Sequence, residues 1–181
     1  AEVQAKVIER VVEPMHSYLS NLQTPYRGVL YIGLMIDSSG DPYVVEFNVR
    51  FGDPECQVTI PLIASDLGDL LAAAANDELH NLSVEFHNAC ALTVVLAAEG
   101  YPGPVANGKP ITGISACEGG WVNHAATGIR AGELVSTGGR VLTCTGISTD
   151  LKGAASIAYS LIDNITLQGS HHRRDIGHRA L

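Results

Sequence analysis

Lysine is nearly missing from this sequence: Lys6, Lys109 and Lys152 are all it has. Eleven Lys and Arg stand against nineteen Asp and Glu, a formal net charge of −8. Sequence-independent binders of nucleic acid or of acidic membranes need clustered positive charge, so neither partner is expected here, beyond what a local basic patch can hold. Long apolar runs are missing too. The longest, "ALTVVLAA" and "LLAAAA", fall far short of the about 20 residues that cross a bilayer. The amino terminus, "AEVQAKVIERVVEPM", is charged throughout and has neither an apolar signal core nor an initiator Met; it reads as soluble and as cut from something longer. Cysteine is sparse, with Cys56, Cys90, Cys117 and Cys144 widely spread and no C-x-x-C. That spacing excludes a disulfide scaffold and points to reduced, buried thiols in a cytoplasmic protein. Trp121 is the single tryptophan and reads as a half-buried core aromatic.

What is present is a 46% hydrophobic chain, enough for a real core. Val3, Val7, Ile8, Val11, Met15, Tyr18, Leu19 and Leu22 recur at helical steps. Pro14 falls inside that pattern and predicts a kink or two shorter helices. "GVLYIGLMID" and "PYVVEFNV", separated by "SSGD", predict a β-hairpin. Its first strand is apolar on both faces, which predicts a covered sheet. A helix capped by Ser65 or Asp66 follows, carrying Leu67, Leu70, Leu71, Ala74 and Ala75. The composition shifts at "HNLSVEFHN", which places a domain boundary near residue 84. Beyond it, short strands and Gly-rich turns predict a small, mostly antiparallel β-domain. "STGGRV" reads as a hairpin turn within it. One helix packs on that domain through Leu151, Ala154, Ala155, Ala158, Leu161, Ile162 and Ile165. The fold class is α+β, with domains over 1–84 and 85–181.

The chemistry gathers in "VVEFNVRFGDPE". Side chains alternate along a strand, so Glu46, Asn48 and, if the strand persists, Arg50 share one face. A carboxylate and an amide carbonyl are hard oxygen ligands of the kind that hold Mg²⁺ while phosphates and water complete its octahedron. An adjacent Arg can grip a phosphate or acyl-phosphate oxygen and offset charge during phosphoryl transfer. An E-x-N on a merely solvated strand face would carry no ligand. The apolar flanks, and Asp53 and Glu55 in the loop beyond, favour the metal-phosphate reading.

"YRGVLYIGLMID", "VVEFNVRFGDPECQ", "SDLGDLL", "AAEGYPGP", "GGRVL" and "RRDIGHRA", in this order, closely resemble the carboxyl-terminal part of the glycinamide ribonucleotide synthetase family. Nearly the whole chain is covered. The resemblance implies the closing part of an ATP-grasp domain over 1–84, then the family's carboxyl-terminal domain. It implies an ATP-dependent ligase that joins glycine to 5-phosphoribosylamine in purine biosynthesis through glycyl phosphate. Glu46 and Asn48 match the family's metal ligands for Mg²⁺ or Mn²⁺, and Arg50 matches the arginine facing the transferred phosphate. Gly52, Asp53, Pro54 and Glu55 match the signature loop, which implies a substrate wall where Asp53 or Glu55 holds an ammonium or accepts a proton.

Two departures qualify the match. Many ATP-grasp relatives carry an acidic metal ligand on the preceding strand, where this chain offers Gly33 and Leu34, with Asp37 at the turn. The Gly-rich phosphate loop and upstream lysines of a nucleotide clamp are absent, as is an amino-terminal domain. The resemblance therefore implies a fragment, inactive alone. The tail "HHRRDIGHRAL" offers Arg173 and Arg174 to a phosphate, or is a solvated or frayed end; the resemblance at "RRDIG" implies an ordered tail returning toward the site, with Arg174 or Asp175 in a structural ion pair. His171 and His172 lack the spacing of a helical zinc pair. Another ATP-grasp ligase or carboxylase, or a non-catalytic β-rich interaction module with an inert E-x-N face, are the alternative readings.

Overall fold

Pro14 stands in the first turn of the second of two amino-terminal α-helices. In the computed structural model, which describes residues 2–181, helices α1 (Glu2–Val7) and α2 (Glu13–Ser20) are joined by a π-helical turn, Ile8–Val12. There the Glu13 N–H donates to the Ile8 carbonyl, five residues back. Proline has no N–H to donate and its ring crowds the carbonyl four residues earlier; the wider turn relieves both problems. Of the two expectations, the two shorter α-helices are found, with the π-helical turn between them and Pro14 in the first turn of the second.

The hairpin forms as expected, from β1 (Tyr31–Ile36) and β2 (Pro42–Asn48). Its turn is built by Asp37, whose Oδ1 accepts the N–H groups of Ser39 (2.8 Å) and Asp41 (2.9 Å). Asp41 is also ion-paired to Lys6 and Arg10 of the first helix, at 3.0 and 2.9 Å. Gly33 pairs with Glu46 but Leu34 with Val44, so Val45 is an extra residue, a β-bulge. The covered sheet expected around β1 is not seen: β1 and β2 form a two-stranded sheet that leaves Met35, Val45 and Phe47 exposed. Apolar residues on both faces signal burial only where other layers are present to cover them.

The backbone divides into two compact units. One runs up to Gly52 and resumes over Asp66–Val84; the other comprises Asp53–Ser65 and Glu85–Leu181. The excursion 53–65 carries a short helix, α3 (Cys56–Thr59), unforeseen in the sequence, and a 3-10 turn, Ile60–Leu62. It is held in its unit by main-chain hydrogen bonds between Leu62 or Ala64 and the segment 85–87. Back in the first unit, α4 (Leu67–Asn76) begins at Asp66, whose side chain accepts the Asp69 N–H at 3.0 Å. This is the predicted N-cap.

The second unit contains β3 (Cys90–Ala97), β4 (Ile111–Thr112), β5 (Gly120–His124), β6 (Thr127–Arg130), β7 (Glu133–Ser136), β8 (Arg140–Ser148), α5 (Leu151–Asp163) and β9 (Thr166–Leu167). Its centre is an antiparallel sheet in the order β3-β8-β5; β4 pairs with β9 and β6 with β7. Because β7 and β8 lie in different sheets, "STGGRV" is a crossover between sheets and not the expected hairpin turn. Val94, Leu142 and Cys144 from the sheet meet Ala154, Ala158, Leu161 and Ile162 from α5 in one buried cluster. Each large side chain so buried is worth about 1.5–3 kcal/mol. The helix can come this close because Gly146 has no side chain: a Cβ there would lie 2.2 Å from the Ala154 carbonyl oxygen.

Candidate metal and substrate site

Glu46 and Asn48 lie beyond the bulge, in the regular end of β2, opposite Gly33 and Tyr31. Regular pairing resumes there, so they share a face as the alternation requires. Glu46 is exposed and Asn48 half-buried. Among the described residues the Glu46 carboxylate has no hydrogen bond or ion pair. Its side chain lies over Gly33, where a Cβ would be 3.0 Å from Glu46 Cγ. The strand ends at Asn48, so Arg50 is not the next residue of the same strand face. It reaches Asn48 by folding back: Nη2 donates to Asn48 Oδ1 at 3.3 Å, and Nη1 to the Phe51 carbonyl at 2.7 Å.

This donor set was tested against a divalent cation by its chemistry. No group of three or more His, Cys, Asp and Glu able to hold a metal ion occurs among the described residues. The described residues therefore offer no all-protein cage. A partnerless carboxylate and a neighbouring amide oxygen do fit Mg²⁺, which is usually held through one or two protein groups with phosphates and water completing its shell.

Gly52 is buried and closes the first unit; Asp53 opens the second. The Asp53–Pro54 peptide bond is cis. Asp53 is heavily engaged. Arg140 Nη1 donates to its carbonyl at 2.8 Å and Nη2 to its carboxylate Oδ2 at 3.0 Å, while Gln57 Nε2 donates to Oδ1 at 3.0 Å. Glu55 caps α3 with its main chain, its carbonyl accepting from Val58 and Thr59. Its half-buried side chain has no hydrogen bond or ion pair among the described residues. Arg140 went unnoticed as a site residue in the sequence. It stands 87 positions from Asp53, and only its place in "GGRVL" marked it.

The tail arginines are spent within the protein. Arg174 makes a two-point contact with Asp163 of α5, at 2.9 and 2.7 Å, and Arg173 another with Asp175, at 2.8 and 2.7 Å. The hydrogen bond from Arg174 holds the Asp163 carboxyl below its usual range, and Arg173 brings Asp175 down to about 2. Tyr159 anchors the same segment, donating to the Arg173 carbonyl and accepting the Ile176 N–H. The tail is thus an ordered structural clasp on α5, and both Arg174 and Asp175 are in ion pairs.

All four cysteines are free thiols. Burial pushes Cys144 up to about 12, and burial followed by the Asp53 charge pushes Cys56 up. Neither suits a thiolate nucleophile. Cys117 is exposed, contrary to the expectation of buried thiols. Trp121 is half-buried, with Nε1 donating to Asn123 at 3.1 Å. Two open hollows, one beside His87 and Ser148 and one beside Gly108 and Arg130, include no predicted site residue.

Comparison with known proteins places these residues in context. The family model for the phosphoribosylglycinamide synthetase ATP-grasp (A) domain matches residues 1–56, and that for the C domain of the same synthetase matches 91–179. Glu46 through Glu55 fall in the first match; Arg140 and the tail clasp fall in the second. The chain is 40% identical over 179 residues to the phosphoribosylamine-glycine ligase of Synechocystis, covering 97% of this chain and 43% of that protein. It is 44% identical over 179 residues to the trifunctional purine biosynthetic protein adenosine-3 of Gallus gallus, covering 97% of this chain and 18% of that one. The crystal structure of phosphoribosylamine-glycine ligase from Thermotoga maritima matches with a TM-score of 0.83 at 35% identity, over 97% of this chain and 44% of that one. The chain therefore spans less than half the length of these relatives.

Proposed function

The chain belongs to the phosphoribosylglycinamide synthetase family, and from that premise we propose that it is part of a cytoplasmic, ATP-dependent ligase of de novo purine synthesis. The ligase joins glycine to 5-phosphoribosylamine. Residues 1–84 close its ATP-grasp domain and 85–181 form its carboxyl-terminal domain, with 53–65 packed in the latter. The reading is carried by Glu46-x-Asn48-x-Arg50, in which a carboxylate without partners among the described residues stands beside an amide oxygen and a cation.

In this scheme the glycine carboxylate attacks the γ-phosphorus of ATP, the bond to the β-phosphate oxygen breaks, and ADP leaves. The amine of phosphoribosylamine then attacks the glycyl phosphate carbonyl, loses a proton and expels phosphate. Glu46 and Asn48 hold Mg²⁺ or Mn²⁺, which when bound neutralises charge on the phosphate oxygens. Arg50 turns its fork from Asn48 and Phe51 to the transferred phosphoryl group, where its charge stabilises the transition state more than the ground state. Gly52, Asp53 and Glu55 form the wall facing the amine substrates. The three lysines here do not build a nucleotide clamp, so that clamp belongs to the part of the ligase outside these residues.

The test is ADP formation by the intact protein that carries this sequence. Turnover is expected to require glycine, phosphoribosylamine and a divalent cation together, and to be lost in Glu46→Ala. ATP turnover indifferent to glycine would overturn the ligase reading. Residues 1–181 alone are expected to release no ADP in response to glycine, and a glycine-dependent signal from them would overturn the division of labour.

A further inference from the structure

Asp53 and Glu55 are interchangeable in the sequence, two carboxylates flanking Pro54, but the structure treats them differently. Arg140 is the first residue of β8 and its position is set by the main chain. It pairs with Ala97 across the β3 ladder, and its carbonyl accepts the Ala126 N–H at 3.0 Å. From that fixed point its two terminal nitrogens reach two separate acceptors of Asp53, the carbonyl at 2.8 Å and Oδ2 at 3.0 Å. Gln57, on the first turn of α3, takes Oδ1. Both carboxylate oxygens of Asp53 are therefore engaged, while the half-buried Glu55 side chain has neither hydrogen bond nor ion pair among the described residues.

We infer that Arg140 is a positioning residue: it fastens Asp53 as a strut, so that Glu55 is the loop carboxylate that receives the ammonium of an amine-bearing substrate. The inference rests on the ligase reading above. A planar fork bound to two acceptors fixes direction as well as distance. The pair is two-fifths exposed, 41% for Arg140 and 43% for Asp53, so its contribution is orientation more than stability. The Asp53 carboxylate has a donor on each oxygen and a guanidinium beside it, which leaves it fewer acceptor sites and less unbalanced charge for an ammonium. Glu55 has its full accepting capacity.

The experiment measures kcat and KM for ATP, glycine and phosphoribosylamine in the intact ligase carrying this sequence. Arg140→Gln and Asp53→Asn are each expected to raise the KM of one amine substrate about tenfold to a hundredfold, the range for a small misplacement of a binding group, with the KM for ATP unchanged. The double variant is expected to be no worse than either single one, because both remove the same pair. Arg140→Lys is not expected to rescue, since one ammonium cannot span both acceptors. Glu55→Gln is expected to raise the same KM. Where Arg140→Gln does not fold, Asp53→Asn breaks the pair from the loop side. An active parent in which Arg140→Gln or Asp53→Asn keeps both amine KM values overturns this inference alone, as does a Glu55→Gln enzyme with unchanged KM. A parent without glycine-dependent ADP formation overturns the ligase reading and this inference with it.

Discussion

Gly33 faces Glu46 across the hairpin, and the Glu46 side chain occupies the space a residue-33 side chain would fill: a Cβ there would come within 3.0 Å of Glu46 Cγ and 3.7 Å of Oε1. The absence of a side chain at position 33 thus leaves room for the Glu46 side chain. Gly33→Ala would push on the Cγ of an exposed side chain that can turn aside, so the hairpin is expected to tolerate it, with a stability change within about 1 kcal/mol. Under the proposed metal role of Glu46, displacing its carboxylate is costlier for cation binding than for the hairpin. A loss of about 10-fold or more in Mn²⁺ affinity, the usual effect of disturbing a residue that orients a ligand, is expected in titrations of the intact protein. Unchanged affinity would show that Glu46 is not held by this contact.

Arg50 is poised by weak tethers, the Asn48 amide oxygen at 3.3 Å and the Phe51 carbonyl. Neither is a carboxylate, so the guanidinium remains free to move to a phosphate. Arg50→Ala is expected to lower kcat by about 10³-fold, as for other arginines that stabilise phosphoryl transfer. The KM for ATP should change little, because the contact forms mainly in the transition state. A rise in the ATP KM at constant kcat would instead make Arg50 a ground-state binding residue.

Local signals carried most of what was legible in the sequence. The hairpin, the Asp66 cap and the apolar stripe of α5 each follow from residues a few positions apart, and Ala154, Ala155, Ala158, Leu161 and Ile162 are indeed buried. The bulge at Val45 and the π-turn before Pro14 were not legible, since each is one of several ways a chain can absorb an extra or forbidden residue. The main site surprise was non-local. Nothing near Asp53 announces Arg140, because their meeting depends on where 53–65 packs in the second unit. The exposure of β1 and β2 misled in the opposite sense: the residues report an environment that the described chain does not itself provide.

Gly146 makes a purely structural prediction. A Cβ at this position would meet backbone on the facing helix, 2.2 Å from the Ala154 oxygen and 2.9 Å from the Ala158 nitrogen. Neither can swing aside. Gly146→Ala must move α5 off β8, and overpacking of this kind costs about 1–3 kcal/mol or more. Thermal unfolding is expected to show a drop in Tm of at least about 2 °C. An unchanged Tm would mean the helix sits farther from the sheet than described.

The tail clasp should loosen in acid in two stages. His172 is largely buried, and its Nε2 has no hydrogen-bond partner among the described residues, lying 3.8 Å from Asp163 Oδ1. Burial first, then the Arg174 charge, lowers its pKa below the ordinary 6.5, with Asp163 opposing and His171 adding to the effect. A depressed folded pKa means the unfolded tail binds the proton more readily. Stability from neutral His172 is therefore complete above 6.5 and is lost as pH falls from there through the folded value. Asp163 and Asp175, held low by Arg174 and Arg173, act in the same direction at lower pH, Asp175 between its ordinary 3.8 and about 2. The Ala97 N–H, bonded to the His171 carbonyl, and the Ile176 N–H, bonded to Tyr159, report the clasp. Their hydrogen-exchange protection factors are expected to fall between pH 7 and 5 and again below pH 4. In His172→Leu the upper step should vanish while the lower one remains. Protection that stays level from pH 7 to 5 in the parent would remove His172 from this account and leave the carboxylates as the only acid-sensitive part of the clasp.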